Sequence, residues 1–263
     1  MRSKTLASVI LLAALMTISL PVWKNWQTLP PDFSLYPAGE ARKTAFFSYL
    51  GPLVDQENAR WQRDRERLKG LKAASVDREK TAKQDMLWLE ARSRFFGVET
   101  DQPQAQLVDA LLRYVDQVPR SLALAQAAKE SAWGTSRFAT DGFNYFGQRC
   151  YQKGCGLVPQ ARAQGAKFEV RRFESPQASV ASYMNNINSH PDYEGFRTYR
   201  AEQRAAGRPV HGIQAAERLT QYSERRQAYV DEIQSLIHFN RLEKQAESAP
   251  SPPAQPMTEQ TTL

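Results

Sequence analysis

The residues from Pro119 to Gly134 constrain the fold of this chain more than any other part of the sequence. Leu122, Leu124 and five alanines between positions 123 and 132 leave almost no polar surface on this stretch. Pro119 suits the first turn of a helix, where its missing N–H would have no partner in any case. A helix that is apolar all round is a buried helix. The sequence therefore predicts a short buried helix whose alanines let neighbouring helices approach closely.

Glu130 is the acidic residue that interrupts this apolar stretch, in the last predicted turn before Gly134. Burial disfavours the ionised carboxylate, and so does the partial negative charge at a helix C-terminus. We therefore expect a raised pKa for Glu130. A carboxylic acid that keeps its proton near neutral pH can protonate a leaving oxygen, as cleavage of a glycosidic bond requires. The ordinary alternative is a solvated Glu130, or one paired with Lys129 or Arg137.

Aromatic and amide side chains crowd the residues that follow Glu130. Aromatic faces are the surfaces on which sugar rings stack, and amides can bond the acetamido group of an amino sugar. The predicted substrate contacts are aromatic walls formed by Trp133, Tyr145 and Phe146, with polar contacts from Asn144 and Gln148.

Residues 125–134, A-Q-A-A-K-E-S-A-W-G, are followed by N-Y-F-G at 144–147. This pair of motifs resembles the β-N-acetylglucosaminidase domain of glycoside hydrolase family 73, and the resemblance covers about residues 100–240. It implies a lysozyme-like fold with Glu130 facing a cleft between two lobes. It also implies peptidoglycan glycan strands as the substrate, with no metal and no cofactor.

A second carboxylate, acting as nucleophile or as base for water, is the usual partner of such an acid. The family is thought to take it from the β-lobe, which here offers Glu169 and Glu174, and we name Glu169 as the catalytic candidate. A surface partner of Lys167 or Arg171 is the alternative role for Glu169. Asp141 is a weaker candidate, and the substrate's own acetamido oxygen can replace a protein nucleophile.

Tyr222 is the third catalytic candidate, by resemblance alone. The segment 219–229 is similar to the family's Y-A-x-D-x-x-Y region, whose first tyrosine is associated with the site. Ser223 replaces the alanine, the aspartate is absent, and the spacing to Tyr229 is longer. The alternative is a half-buried tyrosine with its hydroxyl in water.

The predicted fold class is α+β and mainly helical, with a small β-hairpin lobe at 148–174. We divide the chain into a signal or anchor helix (1–24), a linker (25–39), an N-terminal helical region (40–99), a glucosaminidase-like domain (100–243) and a disordered tail (244–263). Within this division the first helix after the linker is expected to end at Gly51-Pro52. The basic segment 197–211 is expected to form a loop.

Residues 6–23 carry no charge and follow a short basic start. This pattern predicts an uncleaved helix that anchors the protein in the inner membrane and places the rest in the periplasm, with a cleaved secretion signal as the alternative. The formal net charge of +7 suits an anionic polymer such as peptidoglycan. Nucleic acid would fit the charge equally well, but the export segment argues against it.

The two cysteines, Cys150 and Cys155, are separated by four residues. In an oxidising compartment they are expected to form a disulfide. A zinc site is the alternative, with little support because no histidine lies near them in the sequence.

The sequence thus predicts a peptidoglycan hydrolase that cleaves the β-1,4 bond after N-acetylglucosamine with Glu130 as general acid. The alternative is a non-catalytic envelope protein that binds glycan in the same cleft. Retaining, inverting and substrate-assisted mechanisms stay open at this point.

Overall fold

The computed structural model describes residues 29–74, 83–160, 162 and 164–244. Its helices are α1 (Glu40–Ala74), α2 (Lys83–Phe96), α3 (Gln104–Tyr114), α4 (Arg120–Glu130), α5 (Arg137–Gly142), α6 (Pro176–Ser189), α7 (Glu194–Ala205), α8 (Gly212–Ala216) and α9 (Gln227–Phe239). Its strands are β1 (Arg149–Cys150), β2 (Gly156–Leu157) and β3 (Glu169–Arg171). The prediction of a mainly helical α+β protein is confirmed.

The apolar helix that dominates the sequence is α4, and it lies at the centre of the core. Every residue from Ser121 to Ala128 is buried. Helices α1, α8 and α9 all pack against it. The prediction of a buried helix between Pro119 and Gly134 is therefore confirmed, and this helix carries Glu130 at its last position.

Helix α1 runs straight through Gly51 and Pro52, so the predicted helix end at these residues is wrong. Proline inside a helix removes one hydrogen bond and costs about 3 kcal/mol relative to alanine. Leu50 and Val54, on either side of the proline, are fully buried. Helix α1 packs against α3, α4 and α6, and this burial outweighs the local cost. Residues of α1 and α2 share one hydrophobic core with the segment that follows them.

The β-lobe is a three-stranded antiparallel sheet rather than a single hairpin. Strand β3 lies in the middle, with β1 on one side and β2 on the other. Cys150, at the end of β1, forms a disulfide with Cys155, immediately before β2. The disulfide closes the short connection between the two outer strands.

The basic segment after α6 is largely helical, so the predicted loop over 197–211 is wrong for the residues within α7. Arg200 of α7 is buried and donates hydrogen bonds to the carbonyl of Gln117 and to Asn188 Oδ1, at 2.9 and 2.6 Å. The carboxylate of Asp116 also accepts hydrogen bonds from Arg204. These buried contacts hold α7 against the connection between α3 and α4.

The predicted anchor (6–23), the start of the predicted linker and the predicted tail from residue 245 lie outside the described residues. Among the residues that are described, no helix combines the length and apolar character needed to cross a membrane.

Candidate active site

A tight reversal of the chain fixes the end of α4 and with it Glu130. Ser131 caps the helix: its hydroxyl donates to the carbonyl of Ala127 at 2.6 Å and accepts from the N–H of Gly134 at 2.8 Å. Ala132, Trp133 and Gly134 all have positive φ, and the N–H of Trp133 returns to the carbonyl of Ala128 at 2.9 Å. Such 6→1 bonding is typical of helix C-termini. The reversal ends the helix at Glu130, whose side chain is half-buried.

The surroundings of Glu130 hold the pKa of its carboxyl group above the ordinary value. Burial is the main cause, while a hydrogen bond from Tyr229 and the charge of Lys129 lower the pKa by smaller amounts. The carboxylate also lies against the backbone of Gly147, which has φ of +65°. A Cβ atom added at Gly147 would stand 3.1 Å from Glu130 Oε2. Because glycine leaves this space open, the N-Y-F-G motif shapes one wall of the acid's site.

A directed chain of hydrogen bonds reaches Glu130 from the core. The Tyr183 hydroxyl donates to Gln126 Oε1 at 2.6 Å, and Gln126 Nε2 donates to the Tyr229 hydroxyl at 3.1 Å. The proton of Tyr229 is therefore free to point to the Glu130 carboxylate, with which Tyr229 is hydrogen-bonded. Gln126, Tyr183 and Tyr229 are all buried. The chain fixes the orientation of Glu130 by contacts that solvent does not reach.

Sequence reasoning assigned no role to Tyr183, Tyr229 or Gln126. A signal was present for Gln126, because it is a polar residue within an otherwise apolar helix and buried amides require partners. Tyr229 ends the segment that is similar to the family's Y-A-x-D-x-x-Y region, but its longer spacing from Tyr222 gave it no role, and Tyr183 had no comparable signal. The contact of Tyr229 with Glu130 and that of Tyr183 with Gln126 depend on tertiary packing.

Tyr222, predicted to be catalytic, lies beside the hydrogen-bond chain of Tyr183, Gln126 and Tyr229 and holds the turn that carries Gly147. Its ring stacks on Tyr229 with centroids 5.4 Å apart, and its hydroxyl donates to the carbonyl of Phe146 at 3.1 Å. Tyr193 lies 6.0 Å from Tyr222, and burial raises the pKa of Tyr193 to about 12. The phenols around Glu130 are therefore neutral at physiological pH. A catalytic role for Tyr222 stays a prediction.

Tyr145 and Phe146, expected to form aromatic walls, lie instead in the core. Both are at most 2% exposed. Phe146 stacks face to face on Tyr183 at 4.0 Å, and Tyr145 packs 6.3 Å from Phe46. Burial in the core satisfies these rings better than solvent exposure. Neither ring therefore presents a face to a sugar.

Trp133, the third aromatic residue expected to contact substrate, is half-buried and packs against helix α1. Its ring makes edge contacts with Phe46 and Phe47 at 5.9 and 5.4 Å, and Lys43 Nζ lies 5.5 Å from its centroid. These contacts direct it toward the N-terminal part of α1.

The two predicted polar contacts differ in what they can offer a ligand. Asn144 is buried and uses its whole amide on the backbone: Nδ2 donates to the carbonyls of Gln148 and Arg171, and Oδ1 accepts from the N–H groups of Phe146 and Gln148. It holds the turn together and has no donor left for a sugar. Gln148 Nε2 is buried and has no hydrogen-bond partner among the described residues. Gln148 therefore retains an unused donor, one residue beyond Gly147.

Glu169, the candidate second carboxylate, is buried in the β-lobe and not exposed on its surface. Its two oxygens accept the N–H groups of Gly154 and Gly156, at 3.0 and 2.8 Å, and these bonds hold the pKa of Glu169 below its ordinary value. Cys150 and Cys155 lie close enough to Glu169 for a three-ligand metal site, but their sulfurs are joined to each other. The contacts of Glu169 are those of a group that holds the disulfide loop, and its catalytic role stays a prediction.

Residues 106–242, from α3 to just beyond α9, match the Glucosaminidase family, described as mannosyl-glycoprotein endo-β-N-acetylglucosaminidase. The chain belongs to this family. The match contains Glu130 and every other predicted site residue. This chain is also similar to the protein bax of Escherichia coli (strain K12). The two are 30% identical over 213 residues, which cover 80% of this chain and 74% of that relative. The family resemblance inferred from the sequence is thereby confirmed.

No solved structure matches the chain. The lysozyme-like character of the fold therefore stays a prediction. Helices α1 and α2, the connection that follows them and the first two residues of α3 lie upstream of the family match.

Proposed function

We propose that this member of the glucosaminidase family hydrolyses the β-1,4 glycosidic bond after N-acetylglucosamine in peptidoglycan, with Glu130 as general acid. One observation carries the proposal: the Glu130 carboxyl is half-buried, oriented by Tyr229 and held at a raised pKa by burial. A protonated carboxyl in such surroundings has the property that a glycosidase acid requires.

In the proposed first step, Glu130 gives its proton to the glycosidic oxygen while the bond between that oxygen and the sugar C1 breaks. The bonding electron pair leaves with the oxygen, which becomes the hydroxyl of the departing sugar. The resulting Glu130 carboxylate then takes a proton from water as the water oxygen attacks C1. Glu130 is thereby returned to its protonated form.

We propose the acetamido oxygen of the substrate as the group that stabilises C1 between these steps. The groups that act on the pKa of Glu130 are Tyr229 and Lys129, neither of which is a carboxylate. Glu169 has both oxygens engaged by backbone N–H groups, which supports a structural role for it. Nucleophilic attack by Glu169 is the alternative. Substrate assistance predicts retention at C1, full loss of rate on substrates without an N-acetyl group, and a residual rate in Glu169→Gln.

A second candidate function is glycan binding without cleavage. The engaged state of Glu169 favours it, because both oxygens of this candidate protein nucleophile already accept backbone N–H groups. Binding of purified sacculi without release of soluble fragments would support this function over hydrolysis.

The test is release of muropeptides from purified sacculi in ¹⁸O-labelled water, analysed by mass spectrometry. Wild-type protein is expected to release fragments whose new reducing end is N-acetylglucosamine and carries one ¹⁸O atom. Glu130→Gln removes the transferable proton and is expected to lower the rate by at least about 100-fold. Glu90→Gln, on α2, is the matched control and is expected to keep the wild-type rate. Equal release by wild type and Glu130→Gln would refute the role of Glu130.

We also propose a periplasmic location with an inner-membrane anchor at residues 6–23, supported by the uncharged sequence there. Protease added to spheroplasts is expected to degrade the protein while leaving cytoplasmic proteins intact. Resistance to the protease until the spheroplasts are lysed would contradict this location.

A further inference from the structure

A cavity of about 610 Å³ lies where the first turns of α1 meet the end of α9. Three basic side chains line it, from Lys43, Arg120 and Arg241, against one acidic side chain, from Glu40. Phe47 and Phe239 supply apolar surface beside these charges. We call this cavity the basic pocket. It contains none of the residues of the candidate active site.

The positive charges of the basic pocket are only partly neutralised by the protein itself. Arg120 is paired with Asp55 through a hydrogen bond of 2.9 Å. Lys43 lies over the ring of Trp133, and the Arg241 side chain has no partner among the described residues. A concave surface with an excess of one sign of charge concentrates ligands of the opposite sign. The pocket is therefore suited to an anionic ligand.

Phe239 marks the rim of the basic pocket and points to the second chemical property of the ligand. Its side chain is 78% exposed, which no requirement of the core explains. It also lines a second cavity of about 600 Å³, whose other walls include Lys129, Trp133 and Leu236. Hydrophobic and aromatic side chains commonly line the pockets in which proteins bind ligands. Aromatic rings beside cations suit a saccharide that carries carboxylates.

Helix α9 connects the two cavities to the candidate active site. Tyr229, hydrogen-bonded to Glu130, is ten residues before Phe239, which corresponds to about 15 Å along a helix. Lys129, the neighbour of Glu130, forms an ion pair of 2.6 Å with Glu232 of α9 and lines the second cavity. A polymer held at Glu130 therefore has a short path along α9 to the basic pocket.

We propose that the basic pocket binds the free carboxylate groups of the peptidoglycan polymer, those of its peptide stems, and that Phe239 packs against the sugar or peptide beside them. This inference rests on the proposed function for the identity of the polymer. The pocket holds the strand outside the region where cleavage takes place. Lys43 and Arg241 supply the charges that distinguish carboxylate-bearing fragments from neutral ones.

Binding is measured in the Glu130→Gln background, so that no fragment is cleaved, by calorimetric titration with a soluble disaccharide-peptide muropeptide at low ionic strength. The double variant Lys43→Gln/Arg241→Gln is expected to bind about fivefold to tenfold more weakly, as for two partly exposed ion pairs. The control Arg63→Gln/Lys69→Gln removes the same charge from exposed positions farther along α1 and is expected to match the parent.

Chemical modification of the ligand provides the complementary test. A muropeptide whose carboxyl groups are amidated is expected to bind the parent as weakly as the free-acid form binds the pocket variant. Phe239→Ser is expected to weaken the binding of both ligand forms, whereas Phe95→Ser, at another exposed phenylalanine, leaves it unchanged. Equal affinity of the pocket variant and the charge control, or equal affinity for free-acid and amidated ligand, would overturn the proposal.

Vesicles of phosphatidylglycerol and phosphatidylcholine test the competing occupant. If vesicle binding, and not muropeptide binding, depends on Lys43 and Arg241, the pocket faces a lipid surface and the proposal is overturned. The outcome is separable from the hydrolase proposal. A wild-type protein that releases no muropeptides but shows the predicted charge dependence would refute hydrolysis and leave the pocket standing.

Discussion

Gly147 gives a test of the active-site geometry because a single methyl group added there would meet the catalytic candidate and little else. In Gly147→Ala the new Cβ would lie 3.1 Å from Glu130 Oε2 and 3.9 Å from its Cδ. Relaxed van der Waals separation requires the carboxylate to move by a few tenths of an ångström. The backbone adds a second cost, because φ at this position is +65°.

Gly207→Ala isolates the backbone cost. Gly207 has φ of +63°, and a Cβ added there would find nothing within 4 Å. A left-handed conformation costs an L-residue about 1–2 kcal/mol, so both variants are expected to lose that much stability in urea denaturation. Any further difference between them is due to the contact with Glu130.

The rate of muropeptide release is expected to separate the two variants. A misplacement of about 1 Å at a reacting group can cost about 100-fold in rate, so a shift of a few tenths is expected to lower kcat about tenfold in Gly147→Ala. Gly207→Ala is expected to keep the wild-type kcat. Equal kcat values for the two variants, at equal loss of stability, would refute the placement of Glu130 against Gly147.

Three further predictions concern other parts of the structure. Tyr229→Phe removes a hydrogen bond that favours the ionised Glu130, so the pKa of Glu130 rises and the alkaline limb of kcat/KM against pH moves to higher pH. The variant also loses the hydrogen bond from buried Gln126, which lowers the free energy of unfolding by about 1–3 kcal/mol. Glu169→Gln loosens the disulfide loop and lowers the thermal midpoint at neutral pH. Because the pKa of Glu169 is lowered by folding, its contribution is complete above the unfolded pKa and is lost as pH falls through the folded value, so the difference from wild type vanishes in acid. Pro52→Ala restores a helix hydrogen bond at an exposed site and stabilises the protein by about 1–3 kcal/mol in urea denaturation, with unchanged activity.

Each of these predictions has its own contradicting result. Tyr222→Phe is the control for Tyr229→Phe, since its hydroxyl bonds the Phe146 carbonyl and not Glu130. An alkaline limb of kcat/KM that shifts equally in both variants would contradict the hydrogen bond from Tyr229 to Glu130. A constant stability difference between wild type and Glu169→Gln at all pH values would contradict an ionised Glu169. Loss of stability in Pro52→Ala would show that the proline is favourable within α1.

The local features of the site were predictable from the sequence, because they depend on neighbours in the chain. The alanines of α4, the position of Glu130 in its last turn and the glycine at 147 all follow from composition and short motifs. The hydrogen-bond chain to Glu130 was not predictable, since Tyr229, which bonds Glu130, and Tyr183, which bonds Gln126, lie on helices separated from α4 by many residues.

Where sequence reasoning failed, tertiary packing outweighed a local preference. Pro52 is accommodated because Leu50 and Val54 are buried on either side of it. Arg200 is buried because backbone carbonyls and Asn188 accept hydrogen bonds from both of its terminal nitrogens. Tyr145 and Phe146 follow the acid closely in sequence, but burying their rings in the core next to α4 is more favourable than exposing them at the surface. Proximity in sequence to Glu130 therefore did not place these two rings at the protein surface.

The pKa of Glu130 is the quantity on which the account depends most directly. It is measured by ¹³C NMR titration of the side-chain carboxyl groups in glutamate-labelled protein, with the Glu130 signal assigned by its absence in Glu130→Gln. We predict a midpoint above the value of 4.5 for an unperturbed glutamate, and a further rise in Tyr229→Phe. A midpoint at or below 4.5 would show that solvent or a cation reaches this carboxylate freely, and would contradict its role as the proton donor.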